Sequence, residues 1–204
     1  MSHSRIEYRR NLLTHPFYRR WVAGVLTTDE LRDHACQYAH VVMALPRWLR
    51  SAAAYVPASR AGLERHARDE DAHIQLWHGF AEALGLTQTE VAATTPNSAT
   101  GLLLKRGTQL SSQESGVGVA WAVEVQTPAV SAQKLAALRT HYGIEPSTGG
   151  AYFRLHSTRD LIHTAELDRV IARFDPVTLY AAQRTADTIT DGLWDLLSSV
   201  NLAA

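Results

Sequence analysis

"YFRLHSTRDLIH", residues 152–163, places two histidines and one aspartate at H-x3-D-x2-H spacing. The apolar residues around them recur at helical intervals, so the stretch is predicted to form an amphipathic helix. Steps of four and seven residues return to nearly the same face of an α-helix, so His156, Asp160 and His163 should project side by side. Three such side chains on one stripe favour a metal or catalytic site, provided that other helices supply partners.

Helical periodicity extends through the first half of the chain. Strand-like alternation is hard to find, and Gly and Pro cluster between long helical segments. "TTDE", residues 27–30, has the form of a capping box and should begin a long helix that continues to residue 55, with a kink at Pro46. A second long helix is expected over residues 58–84, and Gly85 is a plausible cap for its end.

Helices are also predicted in the second half of the chain. "TQTEVAATTPNSATG", residues 87–101, is rich in Thr, Ser and Asn and suggests a short helix and a loop. Periodicity returns over residues 102–112 and 114–143, and Pro176 should be the first position of a final helix that runs to about Val200. Seven or eight helices joined by short loops predict an all-α helical bundle, formed by a single domain over residues 1–204.

Bulk composition excludes several classes of partner. The 20 basic residues balance the 20 acidic residues, so no net charge attracts the chain to nucleic acid or to an anionic membrane. Cys36 is the single cysteine, which rules out an intramolecular disulfide and suits a reducing compartment. No apolar run has the length of a signal core or a membrane span. We therefore expect a soluble, cytoplasmic protein.

A second pair of ligand-type residues lies in "RDEDAHIQLW", residues 68–77. Glu70 and His73 are three residues apart and share one helix face, as in the Glu-x-x-His motif of di-iron carboxylate bundles. Asp69 and Asp71 lie beside them, so the alternative is a surface stretch that forms salt bridges.

Glu124 lies in "VAWAVEVQTPAV", residues 119–130, where nearly every neighbour is apolar or small. A carboxylate in such surroundings must be paired, protonated or bound to a metal, because an isolated buried charge is too costly. A buried salt bridge to Arg154 or Arg139 is the alternative to a metal. Pro128 lacks the N–H that would bond to the carbonyl of residue 124, so the helix should bend beside this glutamate.

Three helices thus offer six oxygen and nitrogen ligands, which suit two transition-metal ions bridged by carboxylates. A structural zinc site normally uses cysteines, so iron or manganese is the better expectation. Five other histidines lack a comparable arrangement and are expected to have ordinary structural roles. They are His15, His40, His66, His78 and His141.

Four stretches resemble the haem-oxygenase-like diiron oxidases, especially the CADD-like branch near the PqqC and TenA proteins. They are "THPFYRRWVAGVLTTDELRDHACQYAH" (14–40), "HIQLWHGFAEALG" (73–85), "WAVEVQTPAVSAQKLAALRTHYGI" (121–144) and "YFRLHSTRDLIH" (152–163). The resemblance implies a haem-oxygenase-like bundle that activates O2 at two iron ions or an iron and manganese pair. It also implies a homodimer and a small amino-acid-like or aromatic substrate.

The resemblance also assigns residues to roles. Its metal ligands match His73, Glu124, His156, Asp160 and His163. The acid on the first ligand helix is less certain, because many relatives place more residues between it and the histidine. Glu70 is our choice, and Asp69 is the second.

Two further positions resemble those of CADD-like enzymes that make p-aminobenzoate (4-aminobenzoate) from their own side chains. A tyrosine there provides the ring and a lysine is implicated as the amino donor, and the matching residues are Tyr18 in "HPFYRRW" and Lys134 in "EVQTPAVSAQK". The alternative is that both residues simply pack or serve another reaction. Two other functions on this scaffold remain open, a cofactorless or TenA-like enzyme and a non-catalytic interaction protein.

Overall fold

A computed structural model describes residues 6–200, and every regular element within that range is a helix, which confirms the all-α prediction. This part of the chain forms α-helices, with one short 3-10 helix before the first of them and two more between later ones. The α-helices are α1 (Pro16–Val22), α2 (Thr28–Ala53), α3 (Arg60–Ala83), α4 (Gln88–Ala93), α5 (Ser98–Ser111), α6 (Val117–Glu124), α7 (Thr127–His141), α8 (Ala151–Ile171) and α9 (Pro176–Ser199). Among the described residues, no helix is both long and apolar enough to span a membrane.

The capping box at the start of α2 forms as predicted. The Thr27 hydroxyl accepts a hydrogen bond from the backbone N–H of Glu30, and the Glu30 carboxylate accepts one from the backbone N–H of Thr27. The same carboxylate pairs with Arg20, which ties the end of α1 to the start of α2. Two further predictions are confirmed, since Gly85 follows the end of α3 at a positive φ of 77° and Pro176 is the first residue of α9. Helix α2 continues through Pro46.

The segment predicted as one bent helix over residues 114–143 is broken into two. Helix α6 ends at Glu124, residues 125–126 form a turn, and α7 begins at Thr127 with Pro128 in its first turn. Proline at that position lacks the N–H that a continuous helix would need, and it favours a new helix start. The break places Glu124 at the end of a short buried helix. Because of it, the described range contains nine α-helices and not the predicted seven or eight.

Helices α3, α6 and α8 enclose the interior of the bundle. Helix α2 packs along α3, α3 packs against α8, and α8 packs against both α6 and α7. Helix α9 covers α6 from the outside, and the two approach closely at Gly118, where a Cβ atom would lie 2.6 Å from the carbonyl oxygen of Ala182. The absence of a side chain at Gly118 therefore allows α6 to pack closely against α9, and this close packing helps to position Glu124 at the end of α6.

We expect Gly118→Ala to lower the free energy of unfolding by about 1–3 kcal/mol, because its new methyl group meets backbone rather than a movable side chain. Gly79→Ala is the matched control, since this glycine is also inside a helix but has no atom within 4 Å of the added Cβ. The control should gain about 0.5–1 kcal/mol, because alanine loses less backbone entropy than glycine in a helix. Urea denaturation of both variants measures the difference. Equal effects of the two substitutions would contradict the close contact of α6 with α9.

Candidate metal centre

The structure brings together all six residues that the sequence proposed as metal ligands. They lie in the interior between α3, α6 and α8, and each is between 1% and 8% exposed. Buried ionisable side chains at this density need mutual pairing or a bound cation. The residues are Glu70, His73, Glu124, His156, Asp160 and His163.

Helix α8 presents the predicted stripe to the interior. Nδ1 of His156 lies 2.8 Å from Oδ1 of Asp160, within hydrogen-bonding distance. Nδ1 of His163 lies 3.8 Å from the same oxygen. Asp160 therefore sits between the two imidazoles, as the H-x3-D-x2-H spacing requires on a helix.

Helix α3 directs Glu70, and not Asp69, into the interior. Oε1 of Glu70 lies 3.1 Å from Nδ1 of His73 and 3.3 Å from Nδ1 of His163. The Asp69 side chain is 38% exposed and pairs with Arg159, although its Oδ2 reaches to 3.5 Å from Nε2 of His163. The alternative, a surface stretch that forms salt bridges, is thus wrong for Glu70 and His73. It applies to Asp69, which is partly exposed and pairs with Arg159.

Glu124 contacts imidazoles and not arginine. Its Oε2 lies 3.8 Å from Nδ1 of His163, and its Oε1 lies 2.7 Å from Nε2 of His66. Of the two arginines proposed as salt-bridge partners, Arg139 pairs with Glu145 and Arg154 is exposed. The buried ion pair with arginine is therefore wrong.

His66 is the residue that the sequence analysis missed. It was expected to have an ordinary structural role, but its ring is 2% exposed and lies inside the ligand cluster. The signal was present in the sequence, since His66, Glu70 and His73 repeat on α3 the spacing that α8 carries at residues 156–163.

The donor atoms form two overlapping groups, each with its atoms within 4.8 Å of one another. Both groups include Glu70, so its carboxylate would be available to metal ions at both positions. One group is His66, Glu70, Glu124 and His163, and the other is Glu70, His73 and His156.

Several donor atoms of these groups are buried without a hydrogen-bond partner. They include both carboxylate oxygens of Glu124, both ring nitrogens of His163 and of His66, and Nε2 of His156. Buried polar atoms are normally satisfied by hydrogen bonds, so a cluster of ligand atoms without such partners is the pattern expected of a metal site. This donor set, with no thiolate, fits iron well.

The pKa values of the two glutamates move in opposite directions. Burial raises the pKa of Glu70, but the adjacent imidazoles of His163 and His73 lower it by more, so its carboxylate is favoured. Burial raises the pKa of Glu124, and the nearby carboxylates of Asp160 and Glu70 raise it further. A bound cation would offset the burial and the repulsion that disfavour the ionised form of Glu124.

Tyr18 and Lys134 lie together in the core, next to the ligand cluster but not within it. Both side chains are buried, and Nζ of Lys134 lies 4.6 Å from the centre of the Tyr18 ring. They line a cavity of about 20 Å³, and Tyr152 lines the same cavity. The Tyr152 ring packs on His156 with the ring centres 4.0 Å apart. One aromatic residue therefore separates this cavity from a proposed metal ligand.

Comparison with known proteins gives a match to one family. A family model described as an iron-containing redox enzyme matches residues 32–197. Among curated proteins, the chain is 29% identical to a 4-aminobenzoate synthase of Chlamydia pneumoniae, over 93% of this chain and 89% of that protein. It is also 29% identical to a 4-aminobenzoate synthase of Nitrosomonas europaea, over 94% of this chain and 86% of that protein.

Solved structures agree on the fold. A domain with a haem-oxygenase-like fold from Shewanella denitrificans has a TM-score of 0.81 at 16% identity, covering 93% of this chain and 84% of that one. A CADD-like protein of unknown function from Nostoc punctiforme has a TM-score of 0.69 at 18% identity, covering 94% of each chain. At these identities the likeness establishes the haem-oxygenase-like fold alone.

We expect Glu124→Gln to keep or raise the thermal stability of the metal-free protein while weakening iron binding. The amide has the shape of the acid but removes a buried carboxyl whose ionisation Asp160 and Glu70 oppose. Thermal melts without metal and with anaerobic Fe(II) measure both effects, because a ligand of the native state raises the melting temperature. Glu114→Gln, at an exposed glutamate, is the control. An iron-induced shift in Glu124→Gln equal to that of the unmodified protein would contradict a ligand role.

Proposed function

The chain belongs to the iron-containing redox enzymes with the haem-oxygenase-like fold, and we propose that it is a 4-aminobenzoate synthase that consumes its own side chains. In this proposal Tyr18 provides the aromatic ring and Lys134 provides the amino group. The observation that carries the proposal is the position of the Lys134 amine over the Tyr18 ring, 4.6 Å from its centre, in the core of the bundle.

The surroundings of Lys134 favour a neutral amine. Burial lowers its pKa well below the ordinary value for lysine, and its Nζ lies 3.0 Å from Nε2 of His34. His34 is itself fully buried, and burial, followed by the charge of Lys134, lowers its pKa as well. Two adjacent basic groups in an apolar setting resist protonation together. Only the neutral amine has the lone pair that a nitrogen donor needs.

The choice of lysine at residue 134 is itself informative. Lys105 is the one other lysine of the chain, and arginine makes up the rest of the 20 basic residues. Arginine remains charged in proteins, whereas a buried lysine can lose its proton. A sequence in which nearly all basic residues are arginine thus has, in its core, the basic residue that can act as an amine.

The cavity supports an internal substrate over an external one. Its volume of about 20 Å³ admits about one water molecule, and an added aromatic compound would not fit beside Tyr18 without rearrangement. Tyr18 already occupies the place where such a ring would lie. Burial raises the pKa of the Tyr18 phenol, and Tyr38 raises it further, so the protonated phenol is favoured.

Aromatic packing connects this cavity to the candidate metal centre. Ring centres are 4.9 Å apart between Tyr152 and Trp77, and 5.2 Å apart between Trp77 and Tyr38. Burial raises the pKa of Tyr38, and so do the carboxylates of Asp160, Glu70 and Glu124 in that order. When bound by the ligand cluster, two iron ions or an iron and manganese pair would supply the oxidising chemistry, with O2 as the co-substrate. The aromatic layer excludes water from the space between.

The two other candidate functions have weaker support. TenA-like hydrolysis relies on a nucleophilic cysteine, and Cys36 is packed into the hydrophobic core. A non-catalytic interaction protein gives no reason for unsatisfied ligand atoms in the interior. A conventional oxidase that acts on an added small molecule is the outcome to test against, together with the homodimer that the resemblance implies.

The test uses isotopes to trace both halves of the product. Protein with ring-13C tyrosine and ε-15N lysine is loaded anaerobically with Fe(II), or with Fe(II) and Mn(II), and then exposed to O2 with a reductant. We expect 4-aminobenzoate that carries both labels, no more than one molecule per chain, and mass losses confined to residue 18, which gives up its ring, and residue 134, which gives up its ε-nitrogen. Mass spectrometry of the product and of the peptides measures all three.

Matched variants separate the roles of the two residues. Tyr18→Phe and Lys134→Arg should abolish the product but still bind iron, whereas Tyr55→Phe and Lys105→Arg, at exposed positions, should retain it. Many turnovers with an added aromatic substrate, or labelled product from Tyr18→Phe, would contradict self-consumption and favour the conventional oxidase.

A further inference from the structure

Helices α3 and α8 carry the same ligand spacing. His66, Glu70 and His73 follow H-x3-E-x2-H, and residues 156–163 follow H-x3-D-x2-H. Each motif therefore presents an imidazole, a carboxylate and a second imidazole along about two turns of helix. The six ligands proposed from sequence use the whole motif on α8 but leave His66 of α3 out.

The two motifs meet head to tail. The rings of His66 and His163 have their centres 3.7 Å apart, and those of His73 and His156 have theirs 4.7 Å apart. The first histidine of each helix thus faces the last histidine of the other. Two helices that face each other in this way offer one pair of imidazoles at each of two positions, with the carboxylates between them.

His66 does not behave as a core histidine held by hydrogen bonds. Its Nε2 lies 2.7 Å from Oε1 of Glu124, yet neither atom has a partner in hydrogen-bonding geometry, and Nδ1 of His66 also lacks one. Buried polar side chains without partners are rare, because each costs the desolvation of the group. Donor atoms that lie close together but do not bond to one another are the arrangement expected around a cation.

We propose that His66 is a metal ligand, which forms one of the two metal positions together with Glu70, Glu124 and His163. This inference rests on the proposed function, and it goes beyond the six ligands proposed from the sequence. The centre then has four imidazoles and three carboxylates, and each metal position receives two imidazoles.

The additional imidazole has a consequence for metal preference. Imidazole ligands suit iron, whereas carboxylate ligands suit manganese better. His66 therefore biases its position toward iron, and a carboxylate at residue 66 should shift that bias toward manganese. The residue at position 66 would thus influence whether the centre holds two iron ions or an iron and manganese pair.

Metal stoichiometry tests the inference without reference to activity. Metal-free protein is titrated anaerobically with Fe(II), and the bound iron is counted by elemental analysis after desalting. We expect about two iron ions per chain in the unmodified protein, and about one in His66→Ala, with the second weakened about tenfold or more. His78→Ala, at a half-buried histidine on the same helix but outside the cluster, should keep both ions.

A second variant keeps the test informative if His66→Ala does not fold. His66→Glu retains a ligand, so it should bind two metals, but its ratio of bound manganese to iron should rise in equimolar competition. A crystal structure of the iron-loaded protein should show Nε2 of His66 at about 2.1 Å from a metal.

The outcomes distinguish this inference from the proposed function. Two iron ions with unchanged affinity in His66→Ala, or an unchanged metal ratio in His66→Glu, would overturn the role of His66 and leave the proposed function intact. An unmodified protein that binds no iron would overturn both.

Discussion

The structure depends on one constraint, which is that three carboxylates lie almost fully buried in the centre of a helical bundle. Glu70, Glu124 and Asp160 are each at most 2% exposed. Their mutual repulsion and loss of hydration oppose folding unless positive charge is brought among them. Four imidazoles lie among them and contact their oxygens. A pair of divalent cations would supply the positive charge, and α3, α6 and α8 hold the donor atoms around the place where such ions would lie.

Sequence alone predicted most of this arrangement because helical periodicity determines which side chains share a face. The stripe on α8, the pair Glu70 and His73, and the buried position of Glu124 all follow from spacing and apolar context. Pairing between helices does not follow from spacing. His66 was therefore set aside, although its motif matches that of α8, because only tertiary packing shows that its ring meets His163. The arginine partners proposed for Glu124 failed for the same reason.

The sequence predicted where proline would disturb a helix, but not whether the helix would bend or end there. Pro128 predicted a bend beside Glu124, and the chain instead ends one helix there and begins another. A proline removes one hydrogen bond wherever it lies within a helix, but neighbours decide whether the helix bends or breaks. At Pro46 the helix continues, as predicted, and α2 packs against α3. At Pro128 the break lets α7 turn toward α1 and α8, which brings Lys134 to the Tyr18 ring.

The same low-polarity interior acts oppositely on the two neighbouring groups of side chains. It makes isolated carboxylates costly unless cations lie near them, and it lowers the pKa of the Lys134 amine. These effects would cancel if Lys134 reached the carboxylates, because the resulting ion pair would fix the ammonium form. The aromatic side chains prevent this, since Nζ of Lys134 is packed over the rings of Tyr18, Trp21, Tyr38 and Phe153 and its polar contact is with His34. Along α6 the adjacent residues Val123 and Glu124 divide between the two regions, the valine lining the Lys134 cavity and the glutamate joining the metal ligands. The fold thus lowers the pKa of the Lys134 amine within a few side chains of the carboxylate cluster, as the proposed chemistry requires.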